Sequence, residues 1–159
     1  MFREIRRKDR LIDREAGVAL LEKCEYGVLS VLGDDDYPYG VPVNFVFKDD
    51  CIYIHGFLDG HKIDAMKKHP KVCFTAVGDI EIMKGQISTN YISVIAFGKA
   101  EVIAPSDNDI RDMAFAAIMD KYIPGESDRT NEYIKANEAR TNLIKIDVEH
   151  LTCKQRNIR

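Results

Sequence analysis

At 159 residues, 45% of them hydrophobic, the chain has enough material for one compact domain and too little for two. Its formal net charge of -3, from 23 Lys and Arg against 26 Asp and Glu, excludes a general nucleic-acid binder, which needs a concentrated basic excess to pair with phosphates. No stretch approaches the roughly 20 apolar residues that span a bilayer, and Arg3, Arg6, Arg7, Lys8 and Arg10 are not followed by the apolar run of a secretory signal, so the expectation is a cytoplasmic protein with no membrane and no nucleic-acid partner.

Residues 1–25 read as an N-terminal arm and a first helix. The run Arg6-Arg7-Lys8-Asp9-Arg10 is a solvated face or a tail that packs on a partner. Asp13 can cap a helix over 13–24 whose apolar side is Ala16, Leu20, Leu21 and Cys24, and Glu25-Tyr26-Gly27 ends it. Residues 28–32 form a short strand, Gly33-Asp34-Asp35-Asp36 a turn, and 39–47 the second strand of a hairpin. In that strand Val41, Val43, Phe45 and Phe47 share one face, Pro42, Asn44 and Val46 the other. Pro42 cannot donate to a ladder, which leaves an edge, a bulge, or a place where something other than a strand lies alongside.

Residues 48–50 turn into a strand over 51–55, residues 56–60 form a loop, and a helix over 61–69 is stopped by Pro70. A strand over 72–77 precedes a polar, glycine-containing stretch, 78–90, expected as a mobile loop. Residues 91–103 read as a long strand, broken or bent near Gly98. Ser106-Asp107-Asn108-Asp109 opens a helix with an N-cap and an acidic first turn; Ile110, Met113, Ala114, Ala117 and Ile118 recur at helical spacing, and Phe115, Met119 and Tyr122 widen the apolar surface. A loop over 123–129, a short polar helix over 130–139, a strand over 142–148 and a tail over 150–159 complete the chain. About six strands, mostly joined as hairpins without regular strand-helix alternation, predict a mainly β protein: a single-domain antiparallel barrel with peripheral helices.

Cys24, Cys51, Cys73 and Cys153 form no metal-ligand or redox pattern and read as reduced thiols, Cys153 standing apart in a polar tail. His55, His61, His69 and His150 show no zinc-hydrolase spacing, so no metal is expected, and no nucleophile elbow is present. If the protein is an enzyme, a cofactor carries its chemistry. The most informative local feature is His55-Gly56-Phe57-Leu58-Asp59-Gly60-His61-Lys62: a strand end, a loop bracketed by glycines, then His61 and Lys62 on the first turn of a helix. Unpaired amides and the helix dipole favour a phosphate or carboxylate there, although an ordinary glycine turn with Lys62 in solvent gives the same letters. His55 stands between a strand-end core histidine and a ligand contact.

Taken in order, Arg6-Arg7-Lys8-Asp9-Arg10, Glu25-Tyr26-Gly27-Val28-Leu29, Tyr37-Pro38-Tyr39-Gly40-Val41-Pro42-Val43-Asn44-Phe45, Gly60-His61-Lys62, Pro70-Lys71-Val72-Cys73-Phe74 and Tyr91-Ile92-Ser93-Val94-Ile95-Ala96-Phe97-Gly98-Lys99-Ala100-Glu101 resemble the nitroimidazole-resistance branch of the pyridoxamine 5'-phosphate oxidase-like superfamily. The resemblance implies an FMN-binding split β-barrel, a homodimer with FMN at the subunit interface, and an oxidoreductase acting on a small molecule, a nitroimidazole or related nitro compound. It further implies that His61 and Lys62, after Gly60, bind the FMN phosphate, that Pro42, Val43 and Asn44 run beside the isoalloxazine ring, and that Ile54 and His55 lie near the ribityl or phosphate part. Thr75 sits on the adjacent strand, Ser93 matches a polar residue facing the flavin, and His55 or Tyr39 lines the substrate side. The chain departs from pyridoxamine phosphate oxidases proper in having His61 at a basic position and no tryptophan. A flavin- or haem-binding module without turnover, with His55 or His61 as axial ligand, and a deazaflavin enzyme are the alternatives.

Overall fold

The structure, a computed structural model, describes residues 2–126, 132, 136–137 and 140–157. Helix α1 (Arg14–Lys23) starts where the Asp13 carboxylate accepts from the Ala16 amide at 2.8 Å, and buries Leu20 and Leu21 against the sheet. Asp13→Ala is expected to lower stability by about 1 kcal/mol, read as a lower denaturant midpoint with unchanged slope. Then follow β1 (Tyr26–Leu32), a 3-10 turn over Asp34–Asp36, β2 (Pro38–Asn44), β3 (Val46–Lys48), β4 (Cys51–Phe57), α2 (His61–Lys68), β5 (Lys71–Met83), β6 (Ser88–Ile103), α3 (Asn108–Tyr122) and β7 (Thr141–Arg156).

The strands form one antiparallel sheet in the order β2-β1-β5-β6-β7-β4-β3. Strands β2 and β3 are its two edges, yet only Phe45 separates them in sequence, so the sheet must curl until its edges adjoin. The result is a split β-barrel. The stretch 39–47, expected as one strand, is therefore two. The physical reason is burial: Phe45 is fully buried and Val46 is 9% exposed, and two consecutive inward side chains break the two-residue alternation of a strand. Phe45 packs on Phe74, ring centroids 4.6 Å apart. Pro42 lies on the free edge, opposite Val28 of β1 and with no strand on its other side, the first of the options its missing amide hydrogen left open.

The barrel interior is filled by Leu21, Leu29, Phe45, Ile52, Ile54, Ile63, Phe74, Val94, Ile144 and Ile146, and a smaller core under α3 joins Val46, Tyr53, Leu143, Ala114 and Ile118. Several expectations are corrected by pairing. Residues 78–90 are not an irregular loop: β5 runs to Met83 and pairs with β6 from Ser88 across a bulge between Gly78 and Glu81. Residues 150–156 are not a tail but the second half of β7, paired with β6 as far as Tyr91 opposite Arg156; the sheet has seven strands rather than six because 39–47 is divided into β2 and β3. Cys153 is accordingly 4% exposed beneath α1. The register slip between Phe97 and Gly98 bends β6 where the glycine predicted it. At α3 the Asp107 side chain makes no capping hydrogen bond; buried Arg111 instead ties the first turn to β7, donating to the Thr141 carbonyl at 3.0 Å. The helix expected over 130–139 lies largely outside the described residues.

The C-terminal end of α3 fastens the crossover. The Tyr122 hydroxyl accepts from the Phe45 amide at 2.9 Å and has the carbonyls of Glu25 and Phe45 within reach of its proton. Lys121 Nζ donates to the carbonyls of Leu21 and Phe45, each at 3.0 Å, and sits 4.0 Å from the centre of the Phe45 ring. One residue after a free strand edge, the backbone is thus held by two side chains from a distant helix.

Candidate functional site

The free edge of β2 faces β4 across the split, and α2 joins the two walls through its first turn. Gly60, at φ 127°, is in the left-handed region that favours glycine, and its carbonyl accepts from the amides of Ile63 at 2.9 Å and Asp64 at 3.2 Å. The His61 and Lys62 amides are then first-turn donors that an α-helix leaves without an acceptor of its own. Among the described residues, its chain neighbours aside, no atom lies within 4 Å of where a Gly60 Cβ would sit. Lys62 lies along β4, its Nζ 3.5 Å from the position of a Gly56 Cβ, and among the described residues it pairs with no carboxylate.

His61 turns to the other wall. Its ring stacks on Tyr39 of β2, centroids 4.4 Å apart, and its Nε2 accepts from the Asp34 amide at 3.4 Å. The Asp34 carboxylate is 3.6 Å from the same nitrogen and bonds Lys68 at 3.2 Å. The imidazole expected beside Lys62 is therefore occupied elsewhere; what His61 offers at the turn is its amide. Tyr39, expected on the substrate side, stands at this same end.

Along β2 from Tyr39 to Asn44 is about 17 Å at strand rise. At the far end a cavity of about 530 Å3 lies between the strands and α3, lined by Asn44, His55, Ile118, Met119, Tyr122, Ile123 and Glu126. Asn44 Nδ2 donates to the Glu25 carbonyl at 3.0 Å. Desolvation lowers the pKa of His55 below its ordinary value, which favours the neutral ring. A neutral imidazole presents one donor and one acceptor.

The other predicted residues divide by face. Pro42 and Asn44 are exposed, while Val43 leans into the core. The Ile54 side chain is fully buried in the core, which leaves only its main chain for any ligand. Thr75 and Ser93 are half-buried on the outer surface of the sheet, the face that Pro42 and Asn44 also present: Thr75 lies two strands from Pro42 through Val28, about 10 Å away, and Ser93 stands between Val77 and Lys154. The same outer surface carries exposed Tyr26, Val28, Val77 and Phe97. Met119, Ile123 and Lys121 were not singled out as site residues; the only signal was the unusual width of the apolar surface on α3.

Burial pushes the Lys121 pKa down to about 8 from 10.5. A base whose folded pKa is lowered holds fewer protons folded than unfolded between those two values, so this group's share of stability rises as pH climbs from about 8 to about 10.5. The facing titratable groups are Cys24 and Glu22 of α1. The stability difference between wild type and Lys121→Met, measured by denaturant titration across that window, is expected to shift in favour of wild type as pH rises; a flat difference refutes the assignment.

A family model described as pyridoxamine 5'-phosphate oxidase matches residues 13–155. A comparison with curated proteins finds no match. Among solved structures the chain is similar to a candidate 5-nitroimidazole antibiotic resistance protein from Bacteroides thetaiotaomicron, with TM-score 0.76 and 22% identity over 92% of this chain and 86% of that one. It is also similar to a flavocytochrome from Azotobacter vinelandii, with TM-score 0.75 and 24% identity over 92% and 68%. A FAD-binding protein from Mesorhizobium loti gives TM-score 0.68 and 20% identity over 94% and 97%. At these identities the likeness is one of fold.

Proposed function

The chain belongs to the pyridoxamine 5'-phosphate oxidase family, and on that premise we propose that it is an FMN-binding oxidoreductase that reduces nitro compounds as a cytoplasmic homodimer. The observation that carries the reading is the α2 turn: the His61 and Lys62 amides stand on the first turn of α2 after Gly60, and the Lys62 ammonium, which pairs with no carboxylate among the described residues, lies beside Gly56 of β4, donors of the kind a phosphate monoester requires. Bound there, a flavin supplies hydride or electron transfer at its ring. Lys62 and the turn amides hold the phosphate. The free edge of β2, which has no strand beyond it on the side away from β1, offers donors and acceptors to the ring, and Pro42 is the residue that leaves this edge open to a ligand. Asn44 and His55 stand at the substrate end.

Thr75 and Ser93, on the outer surface with exposed Val28, Val77 and Phe97, suit contact with a partner subunit and its flavin. The likeness to a nitroimidazole-resistance candidate supports a nitro substrate, and the absence of tryptophan from the chain speaks against vitamin B6 oxidation. The likeness to a flavocytochrome supports a second reading, a flavin or haem carrier in which His55 is the available axial ligand.

Absorption spectra of the purified protein before and after denaturation, with the released chromophore weighed by mass spectrometry, separate these readings. Flavin bands with the mass of FMN are expected, followed by turnover of a nitroimidazole with a chemical reductant. A Soret band transfers the case to haem, a deazaflavin or FAD mass corrects the cofactor, and a colourless protein that takes up no added flavin refutes the proposal.

A further inference from the structure

The β1–β2 ladder stops short of its next rung. Its last pair is Tyr26 opposite Asn44, which puts Glu25 opposite Phe45 next in register, yet these two make no direct backbone bond. The Tyr122 hydroxyl stands between them: its oxygen accepts from the Phe45 amide at 2.9 Å, and its proton is within reach of the Glu25 carbonyl. A side chain from the end of α3 thus completes the rung and holds the two backbones farther apart than a direct bond would. We propose that this inserted hydroxyl makes Tyr122 a positioning residue of the cofactor cleft, setting where Asn44 presents its free-edge backbone groups to a bound flavin ring. The inference rests on the flavin reading for its ligand and on the ladder for its geometry.

Alternation decides which groups Asn44 presents. In an antiparallel pair successive residues turn their amide and carbonyl to opposite sides. Phe45 turns its amide toward the β1 side, where Glu25 lies, so Asn44 turns its own amide and carbonyl to the edge with no strand beyond it. Pro42 agrees. Two residues back it turns the same way as Asn44, so its missing amide hydrogen falls on the free edge and leaves the bonds to β1 intact. The peptide between Asn44 and Phe45 is planar, and fixing the Phe45 amide through Tyr122 therefore fixes the direction of the Asn44 carbonyl as well. The same joint holds the side chain, because Asn44 Nδ2 donates at 3.0 Å to the Glu25 carbonyl, the acceptor it shares with Tyr122.

Lys121 decides how the hydroxyl is used. A hydroxyl has one proton to give, and the Phe45 carbonyl, 2.9 Å from it, competes with that of Glu25. Lys121 Nζ already donates to the Phe45 carbonyl at 3.0 Å, and a charged donor is the stronger partner. The Tyr122 proton therefore goes to Glu25. The ammonium, bonded also to the Leu21 carbonyl at 3.0 Å, ties the joint to α1. Groups that bind a ligand need to be held within about 0.5 Å of their productive place, and here two side chains of one helix hold the last residue of a free strand edge.

The test compares wild type with Tyr122→Phe, which keeps the ring and removes only the hydroxyl, and with Asp13→Ala, which loosens the far end of α1. Each is titrated with FMN by calorimetry, and the visible flavin band and the backbone amide resonances are recorded. Tyr122→Phe is expected to bind FMN about ten-fold more weakly, the size of a lost hydrogen bond, with a shifted flavin band. In the flavin-free protein it is expected to move the Asn44 and Phe45 amide resonances and to leave that of Thr75, two strands away, in place. Asp13→Ala is expected to match wild type in affinity and band. An unchanged affinity in Tyr122→Phe, or an equal loss in Asp13→Ala, overturns the proposal. Should Tyr122→Phe fail to fold, Lys121→Met probes the same joint by freeing the Phe45 carbonyl to draw the Tyr122 proton from Glu25; unmoved Asn44 and Phe45 resonances then overturn it. If wild type binds no flavin, the cofactor reading fails by itself: movement of the Asn44 resonance in Tyr122→Phe keeps the positioning role, and a fixed resonance ends that too.

Discussion

Replacing Gly98 by alanine is expected to destabilise the protein by about 3 kcal/mol or more, at the upper end of what overpacking costs. A Cβ at this position would lie 2.2 Å from the Asp147 carbonyl oxygen and 3.0 Å from both the Asp147 carbonyl carbon and Ile146 Cγ2. The first two are main-chain atoms of β7 and cannot turn aside as a side-chain tip can. Relief would require β6 and β7 to separate or slip at the bulge between Phe97 and Gly98, and β7 is the strand through which β6 connects to β4. The measurement is the denaturant midpoint. Gly85→Ala is the control: it lies in the β5–β6 turn with open space around it and is expected to change the midpoint little. Equal midpoints for the two variants would mean that β6 and β7 do not approach so closely.

For Lys62→Ala the expected result is a loss of flavin affinity of about ten- to one-hundred-fold, the size of a charge-assisted hydrogen bond to phosphate worth roughly 1.5 to 3 kcal/mol, with the flavin-free protein as stable as wild type. His61→Ala is the informative partner. Its ring contacts Tyr39 and Asp34 rather than the turn, so it is expected to lower stability while leaving flavin affinity within about three-fold, because its amide survives the substitution. Calorimetric titration with FMN measures both. An unchanged constant for Lys62→Ala removes the ammonium from the site; a large loss for His61→Ala alone would move the phosphate to the Tyr39 wall.

How much of this was legible beforehand depends on the scale of the signal. Asp13 as a cap, Pro70 as a stop and Gly98 as a bend are local, and each acts within one turn or one strand pair. Pro42 announced an edge because a missing amide hydrogen is a property of the residue itself. The split at Phe45 was not legible, since alternation of Val41, Val43, Phe45 and Phe47 continues smoothly in sequence and only the burial of Val46 beneath α3 interrupts it. The second half of β7 was missed because its half-buried residues, among them Thr152 and Lys154, lie on an outer surface, where polar side chains are compatible with a strand. The turn amides and Lys62 followed from a local motif, but the orientation of His61 did not: its partners, Tyr39 and Asp34, come from a different hairpin, 27 residues away in the case of Asp34. The cavity under α3 joins the ends of β2, β4 and a helix more than sixty positions on, and no local pattern encodes such a meeting.

The position of β7 also dictates when the barrel can close. The pairs β1–β2, β3–β4 and β5–β6 join strands close in sequence and can form as local hairpins. Strand β7 is made after the other six strands of the sheet, yet it lies inside the sheet between β6 and β4, and its contact from Asp147 to Cys51 spans 96 residues. Contacts of that separation are slow to form. During synthesis two halves of the barrel, β2-β1-β5-β6 and β4-β3, must wait with their inner edges unpaired until β7 leaves the ribosome and closes the gap. A truncation within β7 would therefore be an arrested nascent chain rather than a slightly shorter protein, with exposed strand edges on both sides of the missing seam.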